Sequence, residues 1–459
     1  MRQRRLVAVS IKICVLCVLL VSSRTSLSST QQEAELSPLP EPLTLEYALS
    51  QVDIIHPDLQ VNEAAIKAAR AEQQQLESDT GIKSRLIGRL RWVEPPSFNP
   101  DRTHDDHRIG IEVDKTLYDF GRSDSSLQAV QQKLVSQKLL YEESRQQRRI
   151  EIMQRYFDVV FADLSFYQHN EAMAVAFIEL DKRRDRNELG QVSDIQVMEQ
   201  EAVYQRIRKQ RFASQNRQRM TRARLAYVLG RPGQLPDTVS RPGKLPHLSR
   251  KLPEVEQLQM QAIQNSHVLR AIRARVSATQ AELAAARAGD NPVLYGLAEA
   301  NAYSKERANY DKWRIGLQLE VPLTTGGRVD ADAAKQQAEL YRLQAELVAA
   351  EEEIKQVVLE LWLELDALLI QREQMQAQMD YRELDLDRSR ALYELEVKTN
   401  LGDSMVRVTE AERDAVLTDF NVALAWEKMD TLTGNSVVAT DMVNDLPQSQ
   451  TGKTTDGVQ

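Results

Sequence analysis

Residues 312–321 read KWRIGLQLEV. Trp313, Ile315, Leu317, Leu319 and Val321 alternate with Lys312, Arg314, Gly316, Gln318 and Glu320. A period of two specifies a strand with one apolar and one polar face. The same alternation runs through Ile109, Ile111 and Val113 against Arg108, Gly110, Glu112 and Asp114, and through Leu86, Gly88, Leu90 and Trp92 against Arg85, Arg89 and Arg91. A fourth strand is expected over 293–303, where Tyr295, Leu297 and Glu299 share a face. Short polar segments, 94–106 and 304–311, separate the members of each pair, so the four strands are expected as two hairpins.

The strands belong to a duplication. Arg108-Ile109-Gly110-Ile111 aligns with Arg314-Ile315-Gly316-Leu317, and the match continues without a gap through Leu117 and Leu323 to Gly121-Arg122 and Gly327-Arg328, at a constant offset of 206. Asp58-Leu59 corresponds to Val268-Leu269, and Leu229-Gly230 to Thr433-Gly434. Each half therefore reads as helix, strand, strand, long helix, break, helix. The repeats are expected at 43–230 and 254–434, joined by a Pro-rich linker at 231–253 with two Arg-Pro-Gly triplets. A polar tail at 435–459 is expected to be disordered.

Directly after each hairpin comes a stretch with neither Gly nor Pro, 122–189 and 328–401. As helices, each would reach roughly 100 Å at about 1.5 Å per residue, too long for a globular domain. In the second, Leu340, Leu343, Leu347, Ile354, Val358, Leu361, Leu365 and Leu368 recur in a heptad-like seam.

The 459-residue chain carries 59 Lys and Arg against 67 Asp and Glu, an acidic balance that excludes a basic nucleic-acid binder. Arg2, Arg4 and Arg5 precede the apolar run 13–21 and a serine-rich stretch, the layout of a secretory signal peptide over 1–29. Small residues suit cleavage after Ser23 or after Ser29. Both cysteines, Cys14 and Cys17, lie in this leader, so no disulfide or thiolate site is expected in the mature chain. No later stretch is apolar enough for a membrane helix, which leaves a soluble, a peripheral or a β-barrel protein.

Four amphipathic strands of about ten residues are long enough to cross a bilayer at a tilt. They cannot close a barrel alone, and open edges are not tolerated in lipid. Three chains would supply twelve strands, so trimerisation follows from geometry. Arg85, Arg89, Arg91, Arg108 and Arg314 would then face water, and Leu90, Trp92, Ile111, Trp313 and Leu317 lipid, with the tryptophans in an aromatic girdle. At the strand-to-helix corners, Gly121, Gly326 and Gly327 supply the backbone freedom for a sharp turn.

The chain resembles the TolC family of outer-membrane efflux and secretion channels over about 43–434. The resemblance is carried by the duplication, by Leu43-Thr44-Leu45-Glu46-Tyr47-Ala48-Leu49 with His56-Pro57-Asp58-Leu59, and by the corners Leu117-Tyr118-Asp119-Phe120-Gly121-Arg122 and Leu323-Thr324-Thr325-Gly326-Gly327-Arg328. It implies a mainly α chain with membrane β: a homotrimer with a twelve-stranded barrel in the outer membrane and a long α-helical tunnel through the periplasm. The implied role is the exit duct of a tripartite efflux or type I secretion machine, reached through a periplasmic adaptor from an inner-membrane pump of the RND, ABC or MFS type. No cofactor and no enzymatic activity are implied.

In the family the helix-turn-helix tips contact the adaptor, with a Gly in each turn. The corresponding residues are Leu189, Gly190 and Gln191, and Leu395, Glu396 and Val397. Gly190 fits the pattern, and Glu396 stands where the second glycine is expected. Asp residues just beyond the tips gate the pore in the family. That register falls on Gln196, with Asp194 two residues earlier, and on Gly402 or Asp403. A ring of three Asp403 carboxylates would favour cations and bind a divalent ion; Asp403 also reads as an exposed helix cap, and Arg407 one turn on as its ion-pair partner.

Other motifs are explained without a site. His104-Asp105-Asp106-His107 has metal-ligand residue types in an expected surface loop. Gly452-Lys453-Thr454 echoes a phosphate loop, but Pro447 replaces its first Gly and no strand precedes it. The alternative reading is a soluble periplasmic coiled-coil scaffold or an adaptor, which would account for the helices and the leader but leave the strands without a role.

Overall fold

Two long helices, each starting where a strand ends, set the dimensions of the chain. The computed structural model describes residues 38–54, 56–95, 104–234, 237–243, 245, 247–304, 310–395, 397 and 401–435. From Glu41 onward the chain forms one unit. The leader lies outside the described residues, as does the tail beyond 435.

The first half runs α1 (Leu45–Ser50), α2 (Pro57–Asp79), β1 (Lys83–Arg89), β2 (Arg108–Tyr118), α3 (Arg122–Glu188) and α4 (Asp194–Val228). The second runs α5 (Val255–Asn265), α6 (His267–Arg287), β3 (Val293–Tyr303), β4 (Trp313–Glu320), α7 (Arg328–Glu394) and α8 (Leu401–Thr433). All four strands form one antiparallel sheet in the order β1-β2-β3-β4. Both hairpins are therefore present, and β2 joins them by pairing with β3.

The long helices α3 and α7 have 67 residues each. The expected 328–401 helix is shorter: α7 ends at Glu394, although neither Gly nor Pro stops it. Among the described residues, the end carries two backbone bonds, Leu395 N–H to the Ala391 carbonyl (3.1 Å) and Val397 N–H to the Leu392 carbonyl (3.0 Å). A composition rule cannot detect such a stop. The expected strand 85–92 also ends early, at Arg89; beyond it, Trp92 forms an isolated bridge to Asp105.

The leucine seam of α7 is the core. Ile354, Val358, Leu361, Leu365 and Leu368 pack with Leu258 and Ala262 of α5, Leu269 of α6, and Val422, Ala425, Trp426 and Met429 of α8. At the waist, Phe157 of α3 stacks on Phe420 of α8 with ring centres 4.2 Å apart. There the Tyr156 hydroxyl lies 2.9 Å from the Leu43 carbonyl and 2.6 Å from that of Ser240, beside the parallel Leu43–Val239 bridge. Along the tunnel half, α4 packs on α3, α3 on α8 and α8 on α7, so α4 and α7 are the outer members of a row of four.

Helix starts are capped from the sequence. Pro57 opens α2, and the Nδ1 of buried His56 accepts from the Asp58 N–H (3.4 Å). Burial, and secondarily the Arg148 guanidinium, hold this imidazole below histidine's ordinary value of 6.5. Burial and Arg270 act likewise on His267. The unfolded chain thus takes up protons first, and stability is lost as pH falls through the ordinary histidine range. We expect the thermal midpoint to drop between about pH 7 and pH 5, and the drop to shrink in His56→Asn, which keeps an acceptor at the cap without a titrating ring; melting curves across that range check it.

Candidate functional site

Register gives the sheet two chemically distinct faces. Arg85 pairs with Glu112, Glu112 with Glu299, and Glu299 with Arg314, so one row crosses all four strands. Arg314 lies 2.8 Å from Glu299, Arg108 lies 3.1 Å from Glu112 and 3.7 Å from Glu299, and Arg85 lies 3.2 Å from Asp114. Arg108 Nε also donates to Asn301 Oδ1 (2.8 Å). Gly110 makes this possible: a Cβ there would sit 2.1 Å from the same Asn301 oxygen. The opposite face carries Leu86, Ile109, Ile111, Trp313, Ile315, Leu317 and Leu319, all exposed, with Trp313 71% exposed. Trp92 is 79% exposed and stacks on His104, with ring centres 5.2 Å apart. His104 to His107 thus serves local structure, with Asp106 buried against Arg91; no metal-binding cluster occurs among the described residues.

The corners carry the chain from strand to helix within a few residues. Gly121 (φ 89°) and Gly327 (φ 81°) occupy the position before Arg122 and Arg328, in the left-handed region that a side chain disfavours. Gly326 has φ 62° as well. In the first corner, Asp119 Oδ2 accepts from the Ser123 N–H (2.8 Å) and from its hydroxyl, closing the first turn of α3.

At the far end, α3 and α4 form the first tip. Gly190 N–H donates to the Asn187 carbonyl (2.8 Å) and Gln191 N–H to that of Arg186 (2.8 Å). Asn187 Nδ2 reaches Asp194 Oδ1 (3.0 Å), while Gln196 Oε1 accepts from the Ser193 N–H (3.0 Å), a capping box. Asp194 and Gln196 are thereby engaged in holding the turn. At the second tip, Leu395 and Val397 are 72% and 64% exposed, and Leu189 across from them in sequence is 72% exposed. Glu396 lies outside the described residues.

Asp403, in the first turn of α8, is exposed. It forms no ion pair with Arg407 among the described residues, so the expected neutralisation is not made. Asp403 lines a groove of about 990 Å³ between the two tips, together with Val175, Lys182, Arg183 and Tyr393. Two contacts next to it escaped the sequence reading. A Cβ on Gly402 would meet both methyls of Val175 at 3.0 Å, and the buried Ser389 and Ser404 hydroxyls are 2.7 Å apart. Their only signal is small residues at the approach of two helices.

These features, an edge-open two-faced sheet continuous with long helical hairpins, can be compared with known proteins. Residues 258–425 match the family described as outer membrane efflux protein. The fold of the chain is shared with solved outer-membrane channels. It is similar to a membrane protein from Pseudomonas aeruginosa (17% identity, 85% of this chain and 92% of that one, TM-score 0.70). It is similar also to the Campylobacter jejuni CmeC outer membrane channel (13% identity, 87% and 88%, TM-score 0.69) and to the outer membrane protein VceC from Vibrio cholerae (16%, 86% and 95%, TM-score 0.64). No curated protein matches the sequence. In this fold, Gly402 packs on Val175 of α3, 13 residues before that helix ends. We expect Gly402→Val to push α8 from α3 and lower the melting midpoint by a few degrees, about 1–3 kcal/mol of overpacking, measured by circular dichroism; an unchanged midpoint would show that the contact is not tight.

Proposed function

We propose that the chain is one protomer of a homotrimeric outer-membrane exit duct, conducting cargo from a periplasmic adaptor and an inner-membrane pump to the exterior in tripartite efflux or type I secretion. The observation that carries this reading is the sheet. Its apolar face is exposed on β1, β2 and β4, its other face is ion-paired, and β1 and β4 are the edge strands. In lipid, such a sheet is stable only when closed on further copies. Three chains make twelve strands, an even number large enough for a lumen lined by the ionic face. The helices then extend into the periplasm, and no helix among the described residues is long and apolar enough to cross a membrane. A soluble scaffold would leave the apolar rows in water, and nothing in the sheet favours it.

The tips carry the rest of the proposal. Leu189, Leu395 and Val397, exposed near Gly190 and Gln191, offer the adaptor apolar side chains to grip, while Asp403 contributes one carboxylate per chain to a ring at the entrance. Transport requires no cofactor in this subunit, because the pump supplies the energy. Cargo class, whether drugs, metals or proteins, is set by the pump.

Two measurements test the reading. Detergent extraction followed by light scattering should give a protein mass near three mature chains, whereas release as a monomer into a salt wash would sink the barrel. In planar bilayers, Asp403→Ala should raise conductance and weaken block by divalent cations about tenfold, the loss of roughly 1.4 kcal/mol; unchanged values for both would remove Asp403 from the gate.

A further inference from the structure

Charge is shared unevenly along the ionic face of the sheet. Strand pairing puts Lys83 and Asp114 in one row, Arg85, Glu112, Glu299 and Arg314 in a row farther from the helices, and Arg89, Arg108 and Tyr303 in the last row before the outer ends of the hairpins. Lys83 is held by Asp79 of α2 (3.1 Å). Asp114 is held by Arg85 (3.2 Å), Glu112 by Arg108 (3.1 Å) and Glu299 by Arg314 (2.8 Å). Three carboxylates thus serve three arginines, and the fourth arginine that the strands place on this face, Arg89, is left over. It is exposed and forms no ion pair among the described residues. Arg89 also stands directly opposite Arg108 in the β1–β2 ladder, a like-charge pairing that destabilises a sheet unless a counter-ion relieves it. Beyond this row Arg91 and Asp106 neutralise each other. The face's unanswered carboxylate among the described residues is Glu320, in the row of Val293 nearest the helices. Ten residues of β3 separate that row from the row of Tyr303. This is about 33 Å of strand, several times the Debye length of about 10 Å at 0.1 M salt, so Glu320 does not offset Arg89.

We propose that Arg89, backed by Arg108, forms a cationic ring at the outer mouth of the duct, which draws anions to the exit and opposes the entry of cations from outside. The proposal rests on the trimeric barrel above and adds the selectivity of its outer end. β1 leaves α2 at Lys83 and reaches Arg89 just before its hairpin connection, so the row of Arg89 and Arg108 lies at the end of the barrel away from the tunnel. Three chains bring three Arg89–Arg108 pairs to one level of the lumen, and the three Arg89 guanidinium groups there lack a counter-charge from the chain. Rings of Arg or Lys at a pore wall favour anions, because they raise the local concentration of counter-ions. The forked N–H donors of a guanidinium match the paired oxygens of carboxylate, sulfate and phosphate groups, so cargo carrying such groups is the class that this exit favours. The charge at the exit is opposite in sign to that of Asp403 at the entrance, and the duct is polarised along its length.

The test uses the full chain in planar bilayers under a KCl gradient, with the reversal potential as readout. Arg89→Glu should raise the K⁺ to Cl⁻ permeability ratio by roughly twofold or more at about 10 mM salt and by much less at about 1 M, where the Debye length falls from about 30 Å to about 3 Å. Arg89→Gln should move the ratio part of the way, and Arg89→Lys should keep it near the wild-type value. Lys115 supplies the control: it is exposed, and as the neighbour of Asp114 in β2 it lies on the opposite, apolar face. Lys115→Glu should leave the ratio unchanged. A trimeric, conducting Arg89→Glu channel with the wild-type ratio, or a Lys115→Glu channel that shifts as far, overturns the ring and leaves the barrel reading standing. A shift of equal size at both salt concentrations overturns it as well, because it reports an altered barrel rather than a charge. A wild-type chain that is monomeric in detergent removes the trimeric reading and the ring with it.

Discussion

A peptide group in hydrocarbon has no water to bond to, and this constraint organises the molecule. Within the sheet, β2 and β3 satisfy their backbones on both sides, whereas β1 and β4 each present one row of free N–H and C=O groups. Leaving such groups unpaired in lipid costs several kcal/mol each, far more than any side-chain contact in the chain supplies. On the duct reading, copies of the same chain must therefore supply the missing strands, and everything below the sheet has to be compatible with a closed ring. The ionic row from Arg85 to Arg314 suits that requirement, because it ties the four strands in one register with the row's own charges on a single side.

The helices inherit their positions from the strands. α3 and α7 each begin one residue after a glycine, Gly121 and Gly327, so those glycines set the direction of each helix. Left-handed backbone at that point redirects the chain across a short connection, three residues in the first half and seven in the second. The core then forms along the leucine seam of α7, where α5, α6 and α8 meet.

Much of this was legible in the sequence, for physical reasons. Period-two alternation at 108–114 and 312–321 located two strands, because a two-faced sheet must alternate; 293–303 matched its strand to the residue through the shared face of Tyr295, Leu297 and Glu299. Corner glycines were legible because few residues tolerate their backbone angles. The stop of α7 at Glu394 was not, since backbone bonds made by Leu395 and Val397 leave no mark in residue type. At the tips, Asp194 and Gln196 carried the expected chemistry but are drawn into turn and cap bonds, while the Asp403–Arg407 pair that helix spacing suggests is not formed. Side-chain direction at a helix start depends on what the neighbouring hairpin offers, and one sequence does not contain that geometry.

The clamp around Tyr156 has a mechanical meaning. This residue stands near the middle of α3, and its hydroxyl binds two carbonyls from segments far apart in sequence, Leu43 and Ser240. A rod held at its midpoint behaves as a lever on a fulcrum. The segments at Leu43 and Ser240 are the bearing on which the two arms of α3 balance.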